Sequence, residues 1–257
     1  MIEFEHLVLT YPGTQRRALD GVSLSIAEGT FVALVGASGS GKTSLLKMVN
    51  RLNDPTTGRV RLDGEDVADQ PAPLLRRRIG YVFQGVGLFP HMSVAENIGI
   101  TPRLLGWTAA EIEARVRELL DLVDLPQEFA TRAPAMLSGG QQQRIGVARA
   151  LAARPRVLLM DEPFGALDPL TRDALGEACR DLHERLGLTT IMVTHDIQEA
   201  VLLADRIIVM EAGRVIADGS PPDLLRRDAD ARVSAMMDVP RRQAARVQAM
   251  MGEPPHV

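Results

Sequence analysis

The stretch FVALVGASGSGKTSLLKMVN, residues 31–50, constrains the fold more than any other part of the chain. "FVALVG" is a continuous apolar run and reads as a strand buried on both faces. "SLLKMVNRL" (44–52) has helical spacing. Between them "GASGSGKT" (36–43) matches G-x-x-x-x-G-K-[ST], in the strand–loop–helix setting this motif needs. The glycines let backbone N–H groups curl around phosphate oxygens, and the helix N-terminus adds partial positive charge. The expected cradle is Gly36, Ala37, Ser38, Gly39, Ser40, Gly41, Lys42, Thr43 and Ser44. Lys42 is expected to reach β and γ phosphates, and the Thr43 hydroxyl to coordinate Mg²⁺.

More buried strands follow. "RVLLMDEP" (156–163) ends in Asp161 and Glu162, and "TTIMVTHD" (189–196) carries His195 near its end. Strands alternating with helices argue for an α/β fold with a mostly parallel core sheet. In such a sheet the carboxyl ends of strands gather at one edge, beside the glycine-rich loop. Asp161 is then placed to hold Mg²⁺, and Glu162 to polarise a water for in-line attack on the γ phosphate. His195 can bond the same phosphate and hold that water. Gln84, just after "IGYVF", has two readings: a polar residue at a strand end, or an amide that reaches Mg²⁺ and the attacking water.

The ends and the middle of the chain differ from this core. Residues 1–30 and 56–67 alternate as half-exposed strands, with a turn at Asp63-Gly64, and form an expected antiparallel β layer. Residues 100–155 become helical. There Thr108 and Glu111 make a capping box, and Ile112, Val116, Leu119 and Val123 fall on one face. "DRIIVMEAGRVIADG" (205–219) reads as two strands joined by a turn. The segment from about Asp228 is polar, contains methionines and has no firm assignment.

"LSGGQQQR" (137–144) opens a helix in an odd way. Ser138 and Gln141 have capping-box spacing, yet Gly139 and Gly140 fill the first turn, where each weakens the helix by up to about 1 kcal/mol against alanine. A first turn without side chains lets an anion approach bare N–H groups. Residues 138–141 therefore read as a second phosphate cradle, outside the first strand–helix unit. One nucleotide does not need two cradles from one chain. Two copies facing head to tail resolve this, each ATP lying between one glycine-rich loop and the partner copy's 138–141.

"GASGSGKT", "LSGGQQQR", "VLLMDEP", "GALD" and "VTHD" occur in the order found in ABC transporter ATP-binding subunits, and over residues 1 to about 225 the chain resembles that family. The resemblance implies an ABC ATPase domain over 1–227 with a helical subdomain at about 98–155, and a C-terminal extension at 228–257. It implies a nucleotide-sandwich homodimer docked on transmembrane permease subunits at the cytoplasmic face of the inner or plasma membrane, served indirectly by a solute-binding protein. Tyr11 in "LTYPG" is then expected to stack on adenine, Gln84 to sit in the mobile loop beneath the permease, and Asp168 in "GALD" to couple the two ATP sites. "LLKMVNRLNDPTTGRVRLDGEDV" and "LRRRIGYVFQGVGLFPHMSVAENI" look like importers of quaternary amines such as glycine betaine and choline. Many members of that branch continue into a paired CBS module, which is not expected here. ATPase subunits for other small solutes, such as amino acids, stand as the alternative.

In "GVGLFPHMSVAEN" (85–97), Val86, Leu88, Phe89 and Met92 are apolar. They either fold onto their own core or line a groove for a short helix of the transmembrane subunit.

Composition weighs against the rivals. With 29 basic and 33 acidic residues, net charge is −4, so no basic excess draws nucleic acid. A soluble ABC ATPase for DNA repair or translation usually carries two ATPase units, long coiled coils or zinc modules. This chain has one unit, no sustained heptads and one cysteine, Cys179, which reads as a plain helix residue in a reducing compartment. A P-loop kinase would leave Ser138–Gln141 without a role. "MIEFEHLVLTYPG" has no long apolar run, so no signal peptide is expected, and no stretch approaches the roughly 18 apolar residues of a membrane span.

Overall fold

The computed structural model describes residues 2–85, 87–165, 167–226 and 231–251. Its elements run β1 (Ile2–Thr10), β2 (Arg17–Ile26), β3 (Phe31–Val35), α1 (Lys42–Val49), β4 (Thr57–Leu62), β5 (Glu65–Asp66), α2 (Ala72–Arg77), β6 (Ile79–Val82), α3 (Val94–Leu104), α4 (Ala109–Leu122) and α5 (Gly139–Leu151). There follow β7 (Val157–Asp161), α6 (Pro169–Leu186), β8 (Thr189–Val193), α7 (Ile197–Leu203), β9 (Arg206–Glu211), β10 (Arg214–Gly219), α8 (Pro221–Leu224) and α9 (Ala231–Met251).

Two sheets organise them. The larger has order β10-β9-β3-β8-β7-β6, parallel from β9 to β6 with β10 as an antiparallel edge. The smaller, β2-β1-β4-β5, is antiparallel throughout. β3 shows why its sequence is apolar without interruption. Val32 and Leu34 pack into the core shared with β1, β4 and α1, whereas Phe31, Ala33 and Val35 pack into the core under α3–α6. A strand covered on both faces has no solvent side on which to place polar residues. Leu158 and Met160 of β7 divide from Val157 and Leu159 in the same way. The turn from β4 to β5 carries Asp63 at φ 53 and Gly64 at φ 84, the left-handed pair of a tight hairpin.

The helical stretch starts earlier than residue 100. Ser93 and Glu96 form a capping box that opens α3 at Val94. Thr108 and Glu111 open α4 in the same fashion, and its Val116 and Leu119 are buried, as is Val123 just after it. The segment after residue 230 is a helix, α9, seated by buried Val233 and Met237. Cys179 is buried within α6, and burial pushes its thiol up to about 12, which leaves it protonated and inert at neutral pH.

Candidate functional site

The site begins where β3 runs out. Gly36 has φ 146, and a Cβ there would stand 2.1 Å from the Met210 carbonyl oxygen. Gly41 is the N-cap of α1 at φ 105, and its Cβ would stand 2.5 Å from Ala18 O. Both glycines are required by the backbone of their own chain. No side chain caps α1, so its first N–H groups face the loop interior. The Ser40 hydroxyl is buried there without a hydrogen-bond partner. Lys42 is buried and donates to the carbonyls of Gly36 at 2.7 Å and Ala37 at 3.0 Å. Burial holds its ammonium below the ordinary lysine value, while Glu162 and Asp161 pull the other way. A buried cation, an orphaned hydroxyl and uncapped N–H groups are the donor set of an anion cradle.

The parallel strands bring the other candidates to this edge. The Thr43 hydroxyl donates to Asp161 Oδ1 at 2.9 Å, at the end of β7. The Tyr81 hydroxyl donates to Asp161 Oδ2 at 3.3 Å, and burial followed by the Asp161 charge drives the Tyr81 pKa far up. Glu162 adopts φ 47 and ties its N–H to Val193 O at 3.0 Å. That turn aims its carboxylate out of the sheet, where Oε2 lies 3.4 Å from both His195 Nδ1 and Gln84 Nε2. Gln84, Glu162 and His195 thus converge although they follow three different strands. Tyr11 sits beside α1, its hydroxyl 2.9 Å from Ser44 Oγ and accepting from Asn53 Nδ2 at 2.9 Å. The Ser44 hydroxyl is therefore engaged with Tyr11.

Ser138–Gln141 and Asp168 lie in a separate group. The capping box is complete, with Gln141 N–H donating to Ser138 Oγ at 3.3 Å and Ser138 N–H to Gln141 Oε1 at 3.0 Å. The helix start borders a cleft of about 490 Å³ shared with Arg144, Leu167, Asp168 and Leu170, and no residue of 36–44 lines it. A Cβ at Gly139 would meet nothing within 4 Å. Gly140 is different. Its Cβ would stand 2.5 Å from Thr171 Cγ2, so the Thr171 side chain has to turn aside for any side chain there. Asp168 caps α6, accepting from Thr171 N–H at 3.1 Å, and the Thr171 bonds hold its carboxyl below the usual carboxylate range.

The loop at 85–97 divides. Leu88 packs against the core, while Phe89 is exposed and lines a groove of about 710 Å³ with Phe83, Gln84, Thr101, Leu104 and Arg149. Buried Asn97 fixes the loop, bonding both N–H and carbonyl of Phe89 and the carbonyls of Met92 and Ser93. Val86 lies outside the described residues.

Sequence reasoning missed Tyr81 and Asn53. Each acts across a long sequence separation. For Tyr81 the available signal was a phenol in the otherwise apolar strand that leads to Gln84.

A P-loop on a parallel sheet, a carboxylate pair at the end of β7, two strands over, and a separate glycine-rich helix start define a class of nucleotide-binding cassette. Residues 19–165 match the family model for ABC transporters, and the chain belongs to that family. It is 51% identical over 230 residues to the choline transport ATP-binding protein OpuBA of Bacillus subtilis, covering 90% of this chain and 60% of that protein. It is 50% identical over 230 residues to the glycine betaine uptake system ATP-binding protein YehX of Escherichia coli, covering 90% of this chain and 74% of that protein. The chain thus spans about three fifths of the length of the first and three quarters of the second. A dimeric ATP-binding cassette solved in a post-hydrolysis state with ADP and phosphate superposes with TM-score 0.78 at 35% identity, over 86% of this chain and 99% of that one. Among the described residues, no helix is long and apolar enough to cross a membrane.

Proposed function

We propose that this chain is the ATP-hydrolysing subunit of an importer for a small quaternary amine such as glycine betaine or choline. It works as a homodimer on the cytoplasmic face of the membrane, beneath two permease subunits that a solute-binding protein supplies. The observation that carries the catalytic part is the convergence of Gln84, Glu162 and His195 beside the Lys42–Thr43–Asp161 cluster. Identity of about half to OpuBA and YehX, named for choline transport and glycine betaine uptake, supports the solute class.

The residues divide the work. Backbone N–H groups of 36–43, with Ser38, Ser40 and Lys42, bind phosphate oxygens. Tyr11 offers a half-open aromatic face to adenine. Glu162 accepts the proton of the attacking water, while Gln84 and His195 orient that water. A bound Mg²⁺ neutralises phosphate charge. Thr43 Oγ1, Asp161 and the Gln84 amide fit it, because Mg²⁺ takes hard oxygen donors and needs only one or two carboxylates beside the phosphates. Ser138, Gly139 and Gln141 close over the partner copy's ATP, and Asp168 stands at the same cleft to sense that closure. The groove at Phe83, Phe89 and Leu104 receives a cytosolic helix of the permease.

Replacing Glu162 by Gln tests the core of this. The neutral amide cannot take the proton, so turnover falls by on the order of a thousandfold while ATP still binds. Hydrolysis at the normal rate removes Glu162 as base. Uptake assays with the cognate permease, comparing glycine betaine and choline with amino acids, decide the solute class.

A further inference from the structure

His195 stands between two residues that are both held from outside the loop. Thr194 is buried; its hydroxyl donates to Glu199 Oε2 at 2.5 Å and accepts from the Asp196 N–H at 3.0 Å. Asp196 caps α7, its Oδ1 accepting from the N–H groups of Gln198 at 2.8 Å and Glu199 at 3.4 Å. The carboxylates of this brace meet one guanidinium. Arg172 donates to Asp196 Oδ2 at 3.4 Å, and its Nε lies 3.7 Å from Glu199 Oε1. The other end of the same guanidinium donates to the Leu167 carbonyl at 3.3 Å. Leu167 immediately precedes Asp168, and Arg172 lies one helical turn beyond it on α6. One side chain therefore touches the segment that borders the 138–141 cleft and both carboxylates that brace His195.

These contacts have slack. Charge-assisted hydrogen bonds settle at about 2.7–2.9 Å, and all three Arg172 distances are longer. Arg172 Nε is buried without a hydrogen bond. Glu199 is a carboxylate pushed up by burial, partly offset by its Thr194 bond. The Arg172 and Asp196 side chains are each about a third exposed, so the guanidinium has room to shorten these contacts when either side is moved inward.

We propose that Arg172 is a positioning residue that carries movement of the Leu167–Asp168 segment, when a partner copy's nucleotide loads the cleft, to the Thr194–Asp196 brace, and so sets the His195 ring against Glu162. The proposal rests on the role given to His195 above.

Single-turnover ATP hydrolysis, with the full chain in excess over ATP, tests it, because that format reads very slow rates. Arg172→Gln is expected to slow hydrolysis by on the order of tenfold to a hundredfold, as misplaced catalytic groups do, with ATP affinity unchanged within about twofold. Arg172→Lys, which keeps the charge but not the fork, is expected to recover part of the loss. In a His195→Gln background the Arg172→Gln change is expected to cost no more than about a further twofold. Glu199→Gln removes charge at constant shape and gives the same pattern should Arg172→Gln fail to fold. A normal rate in Arg172→Gln, or the same fold loss with and without His195, overturns the proposal. If His195→Gln alone runs at the normal rate, the role of His195 falls and this link with it. If His195→Gln is slow and Arg172→Gln is not, only the link falls.

Discussion

Two glycine-rich helix starts sit in this molecule, and they are glycine-rich for different reasons. At α1 the need is internal. Gly36 and Gly41 have left-handed backbones pressed against Met210 O and Ala18 O, and their own chain admits no side chain there. At α5 the backbone is ordinary helix behind a complete capping box. A side chain at Gly140 would press on Thr171, but Gly139 faces open space and lowers helix stability for no gain inside the chain. A residue that costs its own fold and returns nothing to it points to a second molecule. Within α5 itself, Gly139, with Ser138 beside it, is the position that no neighbour in the chain accounts for.

The largest expected effect lies on the α1 side. Gly41→Ala must accept a left-handed φ and a backbone clash together, and is expected to cost about 3 kcal/mol or more of unfolding free energy, read by urea denaturation. An unchanged midpoint would mean that the loop relaxes freely, and the contrast with α5 would fail.

Next comes the pair at α5. Gly140→Ala is expected to destabilise by about 1 kcal/mol, as overpacking against the stiff Thr171 outweighs helix propensity. Adding Thr171→Ser, which removes the clashing methyl, should recover it. Gly139→Ala should go the other way, gaining up to about 1 kcal/mol in the isolated chain. On the proposed function it should also slow hydrolysis, because the new methyl would enter the space proposed for the partner copy's phosphate. Gain of stability with loss of activity is the signature sought. Gain with full activity would leave Gly139 unexplained.

The smallest effect lies outside both helix starts. His183 is buried against Phe31 with Nδ1 3.0 Å from Thr190 Oγ1, and burial, then the Arg180 charge, keeps its pKa below 6.5. The unfolded chain takes up this proton near pH 6.5 and the folded chain only at lower pH. Stability contributed by the neutral ring is thus complete above about 6.5 and is lost as pH falls, by at most about 1.4 kcal/mol per unit. His183→Asn should flatten the stability profile below about pH 6.5 without touching ATP-dependent behaviour.

Much of the fold was legible because it rests on local rules. Apolar runs gave the strands buried on both faces, and Thr108–Glu111 and Ser138–Gln141 marked helix starts. The start of α3 is harder to read although Ser93 and Glu96 carry the same signal, because Gly99 and Pro102 interrupt the helical pattern. Gly99 is there for packing, its Cβ direction meeting Ile112 Cγ2 at 2.7 Å. At the site, residues at strand ends could be placed from topology alone. Contacts between elements far apart in sequence could not: Tyr81 with Asp161, Arg172 with Asp196 and Glu199, and Gly140 with Thr171. Periodicity says which face a residue occupies, and tertiary packing decides which neighbour it meets there.

The central claim is that residues 138–141 complete the ATP site of a second copy. Light scattering with Glu162→Gln, whose slowed turnover keeps ATP intact, measures this most directly. The account predicts a monomer without nucleotide and a dimer with ATP and Mg²⁺. With Ser138→Arg added, it predicts a chain that binds ATP but stays monomeric. A dimer that forms with ATP despite Arg at position 138 would contradict the account and return the stretch to a capping box alone.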